Sequence, residues 1–184
     1  MAKLFPDDYI ESTYVIDFRA LYSEGYRALL FDVDNTLVPH NAPADERAKA
    51  FFSYVKGLGY KCMFLSNNKE PRVKTFCEAV GGDGYIYKAG KPKAAGYLEA
   101  CRRLDVAPEH TLFVGDQILT DIWGANNAGI RSVLVKPVKK WYEEPQIVLK
   151  RFLEAAILLG YRIYTAGGRH VKKVPLKKEG ENLQ

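Results

Sequence analysis

The chain has 184 residues, 27 Lys+Arg against 22 Asp+Glu and a net charge of +5, enough for one domain with a full hydrophobic core. No apolar run approaches the roughly 20 residues of a membrane span. The opening "MAKLFPDDYIESTYVIDF", broken by Pro6, Asp7, Asp8 and Glu11, lacks the apolar core of a signal peptide. Cys62, Cys77 and Cys101 sit in apolar or helical contexts without metal-like spacing, and read as buried, reduced thiols of a cytoplasmic protein.

Taken in chain order, "RALLFDV" (27–33) reads as a buried strand. Residues 43–58 read as a helix with Ala48, Phe51, Phe52, Val55 and Leu58 on one face, ended by Gly57 and Gly59. "YKCMFLS" (60–66) is the next strand, and 70–80 a helix with Pro71 in its first turn. "GGDG" (81–84) is a turn, 85–88 a short strand, and 92–104 a helix opened by Pro92. Residues 110–116 are a strand, 119–128 a helix carrying Trp123 as a packing residue, and 131–136 a strand. This alternation, with continuous apolar strands, predicts a parallel sheet covered by helices on both faces.

Residues 143–164 have helical periodicity, and the bland expectation is that this helix packs on the sheet. From about residue 166 the chain is polar and basic, and is expected to be a flexible tail after a single domain over 1–165. Charge is uneven: residues 1–135 hold 16 Lys+Arg against 17 Asp+Glu, and residues 136–184 hold 11 against 5. The basic excess favours an anionic partner, with a solvated tail as the alternative.

Polar groups recur just beyond the apolar strands. Asp32-Val33-Asp34-Asn35-Thr36 forms a D-x-D-x-T pattern after the first strand. Ser66-Asn67-Asn68 closes the second, Lys91-Pro92 follows the third, and Gly115-Asp116 closes the fourth, with Asp121 five positions on. In an open parallel sheet these positions converge on the carboxyl rim, where ligands bind. Burying an ionised carboxylate without a partner is costly, so paired aspartates there suggest a metal site, a catalytic site or both.

These residues in this order resemble the haloacid-dehalogenase (HAD) superfamily of phosphotransferases. "FPDDYI", "LVP", "SNNKEPRVK", "IYKAGKPK" and "GDQILTD" look specifically like the YqeG-type branch of subclass IIIA phosphatases, a family that includes phosphatidylglycerophosphate phosphatases. The resemblance implies a three-layer α/β/α Rossmann-like core and a catalytic set. Asp32 is the nucleophile that forms an aspartyl phosphate, and Asp34 is the acid and base. Lys91 neutralises the phosphoryl oxygens, with Ser66 and the Asn67 backbone N–H as further phosphate donors. Mg²⁺ is the implied cofactor, held by the Asp32 carboxylate, the Asp34 backbone carbonyl and the Asp116 carboxylate. Asp121 stands behind Asp116 or a metal-bound water, and Thr36 holds the Asp32–Asp34 loop. A cation is needed because two unit charges about 4 Å apart repel by about 4 kcal/mol at an effective dielectric of about 20.

The intervals from Thr36 to Ser66 and from Asn68 to Lys91 leave no room for a cap domain. An open site suits a bulky phosphomonoester such as a lipid headgroup. The basic C-terminal segment then suits peripheral contact with an anionic membrane at its inner face. Gly90 and Asn127 stand where the branch commonly has arginine. Two rival readings stay open: a phosphatase of a soluble sugar phosphate, nucleotide or phosphoprotein, and a non-catalytic RNA-associated scaffold. Nucleic acid is the disfavoured partner, since a scaffold needs none of Asp32, Asp34, Lys91 and Asp116.

Overall fold

The computed structural model describes residues 3–138, 145–166 and 173–177, with the backbone alone for 145–152. The chain opens with β1 (Asp8–Ile10), a 3₁₀ turn (Thr13–Val15) and α1 (Phe18–Ser23). There follow β2 (Ala28–Phe31), α2 (Glu46–Gly57), β3 (Lys61–Leu65), α3 (Glu70–Val80), β4 (Gly84–Ile86) and α4 (Ala94–Leu104). Then come β5 (Thr111–Gly115), a wide π-type turn (Ile118–Ile122), α5 (Trp123–Asn127), β6 (Arg131–Val135) and α6 (Pro145–Ala166).

Among the described residues the strands pair in parallel, in the order β1-β6-β5-β2-β3-β4. From β2 the chain winds outward through β3 and β4, then returns to the other side of β2 for β5 and β6. The direction therefore reverses between β2 and β5, and the crevice beyond their carboxyl ends is where such sheets bind ligands. Alternation along the strands divides the core. Leu29, Phe31, Cys62, Phe64, Leu112 and Val114 face a layer built from α1, α2 and α3. Ala28, Leu30, Met63, Leu65 and Phe113 face α4 and α5. Edge-to-face contacts among Phe31, Phe51, Phe52 and Phe64 fill the first layer. Each such buried ring is worth about 1.5–3 kcal/mol.

The predicted strands and helices are present, with ends shifted by one to three residues at most boundaries. Three differences stand out. β1 and α1 were not expected, because β1 carries Asp8 where an apolar residue would signal a strand. Asp8 is buried, and there its carboxylate accepts from Arg131 Nη2 at 3.1 Å and from Val174 N at 3.0 Å. The helix expected over 119–128 begins instead as a wide turn in which Gln117 O accepts from both Asp121 N at 2.9 Å and Ile122 N at 3.2 Å. Trp123, expected to pack, is 39% exposed.

The tail expectation fails for residues 173–177. Val174 is buried, Pro175 O accepts from Asp17 N at 2.9 Å, and Lys177 N donates to Val15 O at 2.9 Å. The rest of the predicted tail beyond Ala166 lies outside the described residues. α6 packs as expected: Ile157 and Leu158 meet Ile118, Ile122 and Leu134, and buried Glu154 accepts from Leu119 N at 3.1 Å. Leu153, Leu159 and Ile163 of this helix are exposed. Among the described residues no helix is long and apolar enough to cross a membrane.

Candidate active site

The β2–β5 ladder runs one residue past the strand, with Asp32 N donating to Val114 O at 3.0 Å. Asp32 thus leaves the central strand next to Gly115-Asp116 at the end of β5. One oxygen each of Asp32, Asp116 and Asp121 lies within 4.8 Å of the others, and all three residues are buried. The Lys91 ammonium enters this cluster from the loop before α4. It reaches Asp32 Oδ1 at 2.6 Å and Asp121 Oδ1 at 2.6 Å.

Local backbone explains the placement. A Cβ on Gly115 would lie 2.6 Å from the Asp121 carboxylate carbon, so this close approach requires glycine. Gln117 N donates to Asp121 Oδ2 at 3.0 Å, and the buried Tyr97 hydroxyl donates to the carbonyls of Thr120 at 3.0 Å and Asp121 at 3.2 Å. Asn67 clamps the Lys91 backbone: its Nδ2 donates to Lys91 O at 3.2 Å and its Oδ1 accepts from Lys91 N at 2.9 Å. The loop after Asp32 turns at Asn35, whose φ of 63° is the left-handed region that Asn tolerates. Thr13 Oγ1 donates to Thr36 O at 3.3 Å and Tyr14 OH to Leu37 O at 2.9 Å, tying that loop to the 3₁₀ turn.

Electrostatics follow from burial. Burial pushes the Asp32 carboxyl well above the usual range; the Lys91 ammonium opposes this, while Asp121 and Asp116 add to it. Burial alone would lower Lys91, but Asp121 and then Asp32 outweigh it and hold the ammonium above the ordinary lysine range. Three buried carboxylates against one ammonium leave an excess of negative charge. That imbalance and the all-oxygen donor set fit a hard divalent cation.

The other predicted residues divide. Thr36 Oγ1 donates to Asp116 Oδ1 at 3.4 Å, so it braces Asp116 as well as its own loop. Buried Ser66 accepts from Asn68 N at 3.1 Å, which leaves its O–H to donate. The Asn67 side chain serves Lys91, and Asp121 contacts the ammonium directly. The Asp34 carboxylate takes no part in the three-carboxylate group. Its Oδ1 accepts from Asn41 N at 2.8 Å and from Arg72 Nη2 at 2.9 Å, and its Oδ2 from Asn68 Nδ2 at 3.3 Å. Arg72 was not anticipated. Its only sequence signal is a cation in the first turn of the helix after Ser66-Asn67-Asn68.

Comparison with known proteins places the chain among relatives. The family model described as "HAD-hyrolase-like" matches residues 88–155. The chain is 37% identical over 140 residues to "Probable phosphatase YqeG" of Bacillus subtilis (strain 168), covering 75% of this chain and 81% of that protein. It is 28% identical over 148 residues to "Phosphatidylglycerophosphate phosphatase 1, chloroplastic" of Chlamydomonas reinhardtii, covering 76% of this chain and 55% of that one. The corresponding Arabidopsis thaliana protein, "chloroplastic/mitochondrial", is 29% identical over 154 residues, and the chain spans 44% of its length. Among solved structures, an uncharacterized protein from Listeria monocytogenes serotype 4b superposes with a TM-score of 0.53 at 19% identity, over 65% of this chain and 85% of that one. One from Corynebacterium glutamicum superposes at 0.51 with 21% identity, over 70% and 93%. These two show the shared fold.

Proposed function

Because the chain belongs to the haloacid-dehalogenase family of phosphatases, in the branch that includes YqeG, we propose that it is a Mg²⁺-dependent phosphate monoester hydrolase whose substrate is phosphatidylglycerophosphate. The observation that carries the chemistry is the buried Lys91 ammonium shared between Asp32 and Asp121, with Asp116 beside them.

In this reading an Asp32 oxygen attacks phosphorus in line with the leaving alkoxide. The new O–P bond makes an aspartyl phosphate as the ester O–P bond breaks. Asp34 gives the leaving oxygen its proton, then takes one from the water that hydrolyses the acyl phosphate. Lys91 holds Asp32 in place and offsets charge on the phosphoryl oxygens, and Ser66 O–H donates to them. The cation would be held by Asp32 and Asp116 with the Asp34 backbone carbonyl, and Asp121 orients that group while anchoring Lys91. When bound, it supplies the positive charge that lets two anions meet.

The lipid assignment is supported by the names of the two plant and algal relatives and by the open rim. Only α2 and β3 lie between Asp34 and Ser66, and only α3 and β4 between Ser66 and Lys91. A basic C-terminal segment and the exposed Leu153, Leu159 and Ile163 of α6 support peripheral contact with an anionic, cytoplasm-facing membrane. The test is phosphate release with Mg²⁺ from phosphatidylglycerophosphate in mixed micelles, beside soluble monoesters, for wild type and Asp32→Asn. Turnover of the lipid that Asp32→Asn abolishes supports both parts. Turnover of soluble esters alone removes the lipid, and no turnover of any ester removes the phosphatase.

A further inference from the structure

Arg72 occupies the mouth of the site beside Asp34. Its Nη2 and Nε lie 2.9 and 3.3 Å from Asp34 Oδ1, and its guanidinium carbon sits 5.6 Å from the centre of the Phe76 ring. A guanidinium carries five N–H donors. Among the described residues those of Nη1 meet no acceptor, and the side chain is 15% exposed, so part of the fork faces solvent. Around it the loops after β3 and β4 carry exposed Lys69, Lys88 and Lys93. The acidic residue there, Glu70, is engaged by the Tyr85 hydroxyl at 3.0 Å. This wall of the rim is therefore cationic. Lys91 cannot answer a second anion, because Asp32 and Asp121 both hold it.

In the reading above Asp34 serves the leaving oxygen, so whatever that oxygen is attached to passes Arg72. Resting on that reading, we propose that Arg72 is a specificity-determining residue that takes a second anionic group carried by the leaving alcohol. The preferred substrates are then phosphomonoesters of anionic alcohols, such as one bearing a phosphodiester. Guanidinium–phosphate pairing is charge-assisted and planar, which favours arginine over lysine at this position.

The experiment measures kcat/KM of wild type, Arg72→Lys and Arg72→Gln on three substrates. These are glycerol 3-phosphate, glycerophosphoglycerol phosphate, and phosphatidylglycerophosphate in mixed micelles. Loss of the Asp34 contact affects every substrate alike, so the ratio between the second and first isolates the second anion. Arg72→Gln is expected to lower that ratio by about tenfold, as one charge-assisted hydrogen bond would, and Arg72→Lys by less. Thermal unfolding of the variants reports that the fold is kept. An equal fall for the soluble diester and the lipid places the anion in the headgroup. An unchanged ratio means that Arg72 serves Asp34 alone, and a fall only in micelles means that it meets the lipid surface; either overturns the proposal. Wild type inactive on all three, while it hydrolyses another monoester such as p-nitrophenyl phosphate, defeats the phosphatidylglycerophosphate reading on which this inference rests; inactivity on that ester too defeats the phosphatase reading, and either outcome takes this inference with it.

Discussion

Asp121 Oδ1 accepts from the Lys91 ammonium at 2.6 Å, the same distance at which that ammonium meets Asp32. Asp121 is thus a direct partner of Lys91. Breaking a buried ion pair by removing one member costs about 3–5 kcal/mol. Lys91→Met, which leaves Asp32, Asp116 and Asp121 together without a cation, is expected to lose stability on that scale in denaturant unfolding without Mg²⁺. It is also expected to lose phosphate release. Asp121→Asn keeps the shape and is expected to lower kcat more than it lowers stability.

The contact between Gly115 and Asp121 gives a steric prediction. An alanine Cβ there would meet the Asp121 carboxylate carbon at 2.6 Å, and Asp121 is fixed by Gln117 N and by the turn that Tyr97 holds. Gly115→Ala is expected to cost about 1–3 kcal/mol as an overpacked site and to reduce turnover. Wild-type stability and activity in this variant would mean that the Asp121 turn moves freely.

Metal binding has a readout apart from activity. The excess of buried carboxylates predicts that Mg²⁺ raises the thermal midpoint in a concentration-dependent way, by about 2.7 kcal/mol of stability at about 100 times its dissociation constant. Asp116→Asn is expected to remove most of that shift.

Much of this site is legible in the chain, for a physical reason. Buried parallel strands must be apolar, so Asp32, Ser66, Lys91 and Asp116 stand out as polar groups at strand ends. The six-strand order and the pairing of Lys91 with Asp121 are not legible, because they depend on which strands become neighbours. Arg72 was missed for the same reason: 38 residues separate it from Asp34, and only the β2–β3 pairing brings them together. β1 was hidden by Asp8, whose burial depends on partners more than 120 residues away. The docked 173–177 segment was hidden by its basic composition, since its contacts are largely made by backbone.

Asp8 predicts a pH effect of unusual sign. Burial raises its carboxyl from the ordinary 3.8 to about 6, against the opposing hydrogen bond from Val174 and the Arg131 charge, with Asp7 adding a little upward. A carboxyl raised on folding favours the fold in its protonated form. Its contribution is full below the unfolded value and is lost as pH rises through about 6. Asp8→Asn is therefore expected to flatten the stability profile between pH 4 and 6. A carboxyl titration near 3.8 by NMR would contradict this.

In the proposed mechanism Asp32 carries the phosphoryl group. The most direct test is acid quench of the enzyme during turnover of its best monoester, followed by mass spectrometry of the peptide containing Asp32. The expected result is a phosphoryl adduct on Asp32 that forms within one turnover, decays with product release and is absent from Asp32→Asn. Steady phosphate release with no adduct at Asp32, or undiminished release by Asp32→Asn, would contradict it.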